Sequence, residues 1–180
     1  MSTTARAASA CASANGWLMH PLGTDLVAIG EFELAHVMSE APELFAVPGA
    51  PAYCRQAIIW NARPVPVLDL ATRVYEPRAL LAATRTRELA HAYIAVVRYS
   101  DPAGDAGVVD GAPPLAGAVA YGAFALRALP GRVEVSDDQT ASLSDDQAGW
   151  SPYVLSCFEH VDGALVPILH LERVFSAALD

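Results

Sequence analysis

The chain has 180 residues, with 11 Lys+Arg against 20 Asp+Glu and a net charge of −9. That length can bury a core in one compact unit or in two joined halves, and 17% charged residues is too few for a disordered chain. An acidic chain without a basic cluster is not built for nucleic acid or for a polybasic membrane patch. No apolar run approaches the roughly 18 residues that a membrane-spanning helix needs, so no membrane insertion is expected. Of the 53% hydrophobic residues, 35 are alanine, and all 11 basic residues are arginine. Both biases read as GC-rich coding. The stretch Met1–Ala14 has no continuous apolar core and does not read as a signal peptide. Residues 1–16 are expected to form a disordered tail, followed by one domain over 17–180 in a soluble, cytoplasmic protein.

Asp25-Leu-Val-Ala-Ile-Gly reads as a short strand, and Phe32, Leu34, Val37 and Met38 as a second, less regular one. Pro42, Pro48 and Pro51 exclude a helix between them and suit an extended connection into Tyr53. Gln56-Ala-Ile-Ile-Trp-Asn-Ala-Arg-Pro predicts a strand and then a tight turn. Val65-Pro-Val-Leu-Asp-Leu is another strand, whose Pro66 belongs at an edge or bulge. A helical turn is expected over 80–88, a strand over 91–99 and a Gly/Pro-rich loop over 101–114. Small apolar residues over 115–125 form a further strand. The acidic stretch from Glu134 to Gly149 is expected to be a mobile loop. Tyr153–Phe158 and Ala164–Leu171 form a final pair of strands around the turn Val161-Asp-Gly, and a short helix over 172–179 ends the chain.

Two segments repeat. Tyr53 is followed by strand, turn and Val65-Pro-Val-Leu-Asp-Leu-Ala-Thr-Arg-Val-Tyr. Tyr153 is followed by strand, turn and Val166-Pro-Ile-Leu-His-Leu-Glu-Arg-Val-Phe. Copies this far apart do not describe a solenoid. They predict two similar all-β halves, each closing its own small sheet or barrel, with Val65–Leu70 and Val166–Leu171 equivalent.

The inventory for chemistry is thin. There is no G-x-S-x-G elbow for a nucleophile. Cys11, Cys54 and Cys157 lack CxxC spacing, and Cys54 and Cys157 read as buried small hydrophobes at near-equivalent places of the two blocks. His20, His36, His91, His160 and His170 show no metal-ligand spacing, although His160 and His170 could face each other across a hairpin. No glycine pattern suggests a nucleotide. Asp69 ends a strand, where a carboxylate caps the following helix more often than it acts on a substrate. A protein that binds rather than reacts is expected, with no catalytic residue, metal or cofactor.

The stretch from Val47-Pro-Gly-Ala-Pro-Ala-Tyr through Trp60-Asn-Ala-Arg to Val65-Pro-Val-Leu-Asp-Leu resembles the CheW family of bacterial chemotaxis coupling proteins. Tyr153-Val-Leu-Ser, Val161-Asp-Gly and Ile168-Leu-His-Leu-Glu-Arg-Val-Phe resemble that family's C-terminal signature. The resemblance runs in order from Trp17 to Phe175. It implies an all-β fold of two small five-stranded SH3-like β-barrels packed around a shared core, with a few short helices. It also implies a non-enzymatic adaptor between a methyl-accepting chemotaxis-type receptor and a CheA-type histidine kinase, in a chemotaxis or type IV pilus-like pathway. An accessory or relict scaffold of the same fold, no longer coupling a kinase, is the alternative.

This chain departs from the family where partners are contacted. In the N-L-R-G-like turn, Trp60 takes the Leu place, Asn61 the Arg place and Ala62 the Gly place. His36 or Val37 stands where the early strand carries Glu, His170 replaces an Asp or Asn, and Tyr121 replaces an Asp. The resemblance therefore marks His36, Val37, Trp60, Asn61 and Ala62 as the protein-binding residues. Asn61 tolerates a left-handed turn but carries no charge. Trp60 either packs between the halves or stands out as an amphipathic anchor. An apolar, hydrogen-bonding contact is expected there rather than a charged one.

Overall fold

The computed structural model describes residues 13–40, 42–75, 93–101 and 118–176. In chain order the strands are β1 (Ser13–Met19), β2 (Val27–Gly30), β3 (Leu34–Met38), β4 (Phe45–Ala46), β5 (Gln56–Trp60) and β6 (Arg63–Leu68). Helix α1 (Leu70–Tyr75) precedes β7 (Tyr93–Asp101), β8 (Ala118–Leu126), β9 (Gly131–Ser136), β10 (Thr140–Ala141), β11 (Val154–Glu159) and β12 (Leu165–Leu169). Helix α2 (Leu171–Phe175) follows.

The strands make two curled sheets, β10-β11-β12-β2-β1-β9 and β3-β7-β8-β6-β5-β4. Each has five main strands and a two-residue stub at one edge, β10 or β4. The all-β expectation of two SH3-like halves holds. The halves are interleaved, however: the chain starts one sheet with β1 and β2, builds all of the other, and returns.

Three apolar cores explain why several strands read as continuous hydrophobic runs. Ile58, Val65, Val67, Ile94, Val96 and Ala123 fill the barrel formed by β3–β8. Ala28, Phe158 and Val166 centre the other. Between them lies a shared core with Ile29, Leu68, Ala95, Val97, Phe124, Leu169 and Leu171. Along β7, Ile94 and Val96 point into a barrel while Ala95 and Val97 point into the shared core, so both faces are dry. Each fully buried Leu, Ile or Phe contributes about 1.5–3 kcal/mol of transfer free energy.

The repeat is structural. The Tyr53 carbonyl accepts the Asp69 N–H at 2.8 Å, and the Tyr153 carbonyl accepts the His170 N–H at 2.8 Å. Both repeat strands run straight into a short helix opened by a buried leucine, Leu70 or Leu171. Pro66 lies on β6, an interior strand rather than an edge. It is accommodated because it pairs only with Ala57, and the parallel pairing to β8 begins one residue later, at Val67. Pro167 repeats this arrangement, pairing with Cys157 one residue before the parallel bridge Ile168↔Ala28. That pairing also corrects the cysteine equivalence: the counterpart of Cys157 is Ala57, and Cys54 sits instead in the 3-10 turn Ala52–Cys54. Cys157 is buried and Cys54 half-buried. Asp69 caps α1, accepting the Thr72 N–H at 3.0 Å and the Thr72 hydroxyl at 2.8 Å.

Two boundaries differ from the sequence reading. Strand β1 begins at Ser13, inside the expected 1–16 tail, because its backbone pairs with β9 (Ser13↔Ser136, Gly16↔Val133), a ladder that needs no apolar side chain. The expected acidic loop contains regular structure: Glu134 lies in β9, and Ser136 and Gln139 form a reciprocal cap on the 3-10 turn Asp137–Gln139. A second 3-10 stretch, Asp145–Tyr153, carries the buried Trp150 into the shared core. The expected helical turn over 80–88 lies outside the described residues, as do residues 1–12 with Cys11, 102–114 of the expected loop and the end of the last helix.

Candidate protein-interaction site

The β5–β6 hairpin presents the altered turn. Trp60 pairs with Arg63, leaving Asn61 and Ala62 as a two-residue loop. Their φ values are 48° and 59°, the left-handed pair that a type I′ hairpin turn requires. Asn is suited to that geometry, whereas Ala62 carries a Cβ there at a cost of roughly 1–2 kcal/mol.

The early strand reaches the same place through a bulge. The β3–β7 register shifts between Leu34 and His36. Leu34 packs on the shared core while Met38, four residues on, packs on the barrel core, so the bulge has switched faces. His36 lies near the Trp60 ring, centroids 6.3 Å apart and planes at 28°. Trp60 also meets Tyr121 of β8, at 5.0 Å and 57°. Three positions that depart from the family pattern separately in sequence thus form one aromatic cluster. Trp60 is half-buried at the end of the β3–β8 barrel and does not pack between the halves. Val37 alternates away, opposite Ala95, and takes no part in the cluster.

Beside the cluster is a groove of about 480 Å³ lined by Trp60, Asn61, Arg63, Pro64, Val65, Val119, Ala120 and Tyr121. Ala62 stands at the turn apex outside that lining. Arg63 and Val119 are residues the sequence reading left out. A two-residue turn already implies that Trp60 and Arg63 are cross-strand partners, but Val119 enters only through sheet pairing.

Val119, 59% exposed, also lines a second groove of about 350 Å³ between the two halves. Phe32 (74% exposed) and Leu155 (63%) add apolar surface, and Glu33, Arg98, His170 and Glu172 add polar groups. The Glu33 Oε2 accepts the Gly30 N–H at 2.6 Å, and Arg98 Nε donates to the Phe32 carbonyl, which pins this turn. Burial pushes the Glu33 carboxyl above its ordinary value, although the Gly30 bond and then His170 favour the anion. The grooves adjoin, giving one surface from the hairpin turn to β11.

His160 and His170 do not meet as ligands: His160 Nδ1 lies 3.1 Å from Asp162 Oδ1, while His170 lines the second groove. Among the described residues no three His, Cys, Asp or Glu side chains converge as a metal site, and no helix is long and apolar enough to cross a membrane.

The two curled sheets define an all-β protein of two SH3-like barrels. The CheW-like domain profile matches residues 17–179, and the chain belongs to that family. The structure is similar to the crystal structure of the scaffolding protein TtCheW from Thermoanaerobacter tengcongensis, with a TM-score of 0.62 at 11% sequence identity. That likeness covers 96% of this chain and 94% of the other. No curated protein sequence matches the chain.

Proposed function

We propose that the chain is a non-enzymatic chemosensory scaffold that couples a methyl-accepting chemotaxis-type receptor to a CheA-type histidine kinase. Family membership over residues 17–179 supports the scaffold role. The observation that carries the coupling reading is the pair of adjoining grooves, because an adaptor has to hold two proteins without displacing either. Aromatic residues at the first groove and exposed apolar residues at the second are the side chains that supply interface anchors. Such a protein acts in the cytoplasm, where receptor signalling tips and kinase are found, in a chemotaxis or type IV pilus-like pathway. His36, Trp60 and Asn61 are its contact residues, and Ala62 holds the turn that presents them.

Titration of the purified chain against a receptor cytoplasmic fragment and a CheA-type kinase from the same organism tests this. Binding to both, singly and as a ternary complex, is the expected result. Binding to the receptor alone would leave an accessory scaffold, and binding to neither would overturn the adaptor reading.

A further inference from the structure

We propose that Arg63 makes the first groove a receiver for an acidic, apolar segment of a partner protein, with a partner carboxylate on the guanidinium and an apolar side chain against Trp60. The proposal rests on the adaptor reading and names the partner's chemistry at that surface.

Arg63 is placed by the hairpin. A two-residue turn makes it the cross-strand partner of Trp60, so both side chains leave the same face of the ribbon and meet at the groove. The surrounding wall is apolar or aromatic, with Val65, Val119, Ala120 and Tyr121. None of the described residues lining the groove is acidic. Arg63 is exposed, and its side chain makes no hydrogen bond or ion pair with another described residue. Arg132, by contrast, is held by Glu31 at 2.6 Å. A guanidinium is therefore presented beside apolar surface with its charge uncompensated, inside a chain of net charge −9.

Those facts select the occupant. The planar fork of an arginine suits a carboxylate, and apolar walls that exclude water strengthen the pairing. The chain's overall negative charge repels acidic proteins at large, so the local positive spot fixes where and in what register an acidic segment docks. The interface is then charged as well as apolar, unlike the uncharged contact that Trp60-Asn61-Ala62 suggests when read alone.

The test compares wild type, Arg63→Gln, Arg63→Lys and Arg63→Glu in titrations against the receptor fragment and the kinase, at low and at high salt. Arg63→Gln is expected to weaken binding to one of the two roughly tenfold at low salt, with a smaller loss at high salt. Arg63→Lys should recover part of the loss, because it keeps the charge without the fork. Reversing one acidic residue of that partner to Arg should restore binding to Arg63→Glu. Unchanged affinity and salt dependence of Arg63→Gln for both proteins would overturn the proposal. So would a dimer of wild type alone that Arg63→Gln abolishes, since the occupant would then be a second copy of this chain. Wild type that binds neither protein overturns the adaptor reading, and this inference with it.

Discussion

The guanidinium carbon of Arg73 lies 4.0 Å from the centre of the Tyr53 ring. The same carbon is 5.2 Å from the centre of the Tyr153 ring, and Arg73 Nη2 donates to the Ser176 carbonyl at 2.6 Å. Because the two tyrosines are counterparts in the repeat, one buried arginine touches the matching residue of both halves and the chain beyond α2. Arg73→Ala is expected to cost about 2–4 kcal/mol, from the cavity and the orphaned carbonyl. Arg73→Met should lose about half as much, since the apolar stem still fills the space. Urea unfolding checks both. A Met variant as stable as wild type would mean that the cation adds nothing to joining the halves.

Ala62 sits at φ 59° without being glycine. Ala62→Gly removes the Cβ clash and is expected to raise stability by about 1 kcal/mol, with an unchanged denaturant slope. Ala62→Val should lower it, because a branched Cβ is worse placed in the left-handed region. A neutral or destabilising Ala62→Gly would show that the turn is not strained.

Gly122 of β8 lies directly against the Phe175 ring of α2. A Cβ there would lie 2.2 Å from the Phe175 ring. That ring is held by stacking on Tyr99 at 5.0 Å and by a tilted contact with Phe124 at 5.3 Å, so it has little freedom to retreat. Gly122→Ala is expected to cost about 1–3 kcal/mol by overpacking. Combining it with Phe175→Leu should give less destabilisation than the sum of the two single changes. Additive effects would place the clash elsewhere.

Glu33 gives a pH signature. Its carboxyl is raised above 4.5, chiefly by burial, so the folded state holds its proton to higher pH than the unfolded chain. Between the unfolded and folded values the native state binds more protons, and the Glu33 contribution to stability falls as pH rises through that window. Glu33→Gln cannot ionise, yet its amide oxygen can still accept the Gly30 N–H. The stability of wild type relative to the variant should therefore fall as pH rises through that window. Parallel pH profiles for the two proteins would refute the assignment.

Local chemistry in the sequence was enough for the all-β class, the β5–β6 turn, the Asp69 cap and the equivalence of Val65–Leu70 with Val166–Leu171. Each depends on residues a few positions apart: alternation, a left-handed Asn, a carboxylate before a helix, a proline in a recurring strand. The tertiary structure alone decided that β1 and β2 join the C-terminal strands, that the acidic stretch runs from the end of β9 through two 3-10 stretches, and that Pro66 can sit in an interior strand. Sheet pairing is non-local and runs through backbone groups that every residue carries, so side-chain type does not announce the partner. The same reason hid the site. His36, Trp60 and Tyr121 belong to three strands, and only a bulge in β3 and the curl of the sheet bring their rings together. Arg63 shares a groove with Val119 because β8 lies beside β6, a neighbour that nothing in the hairpin sequence names.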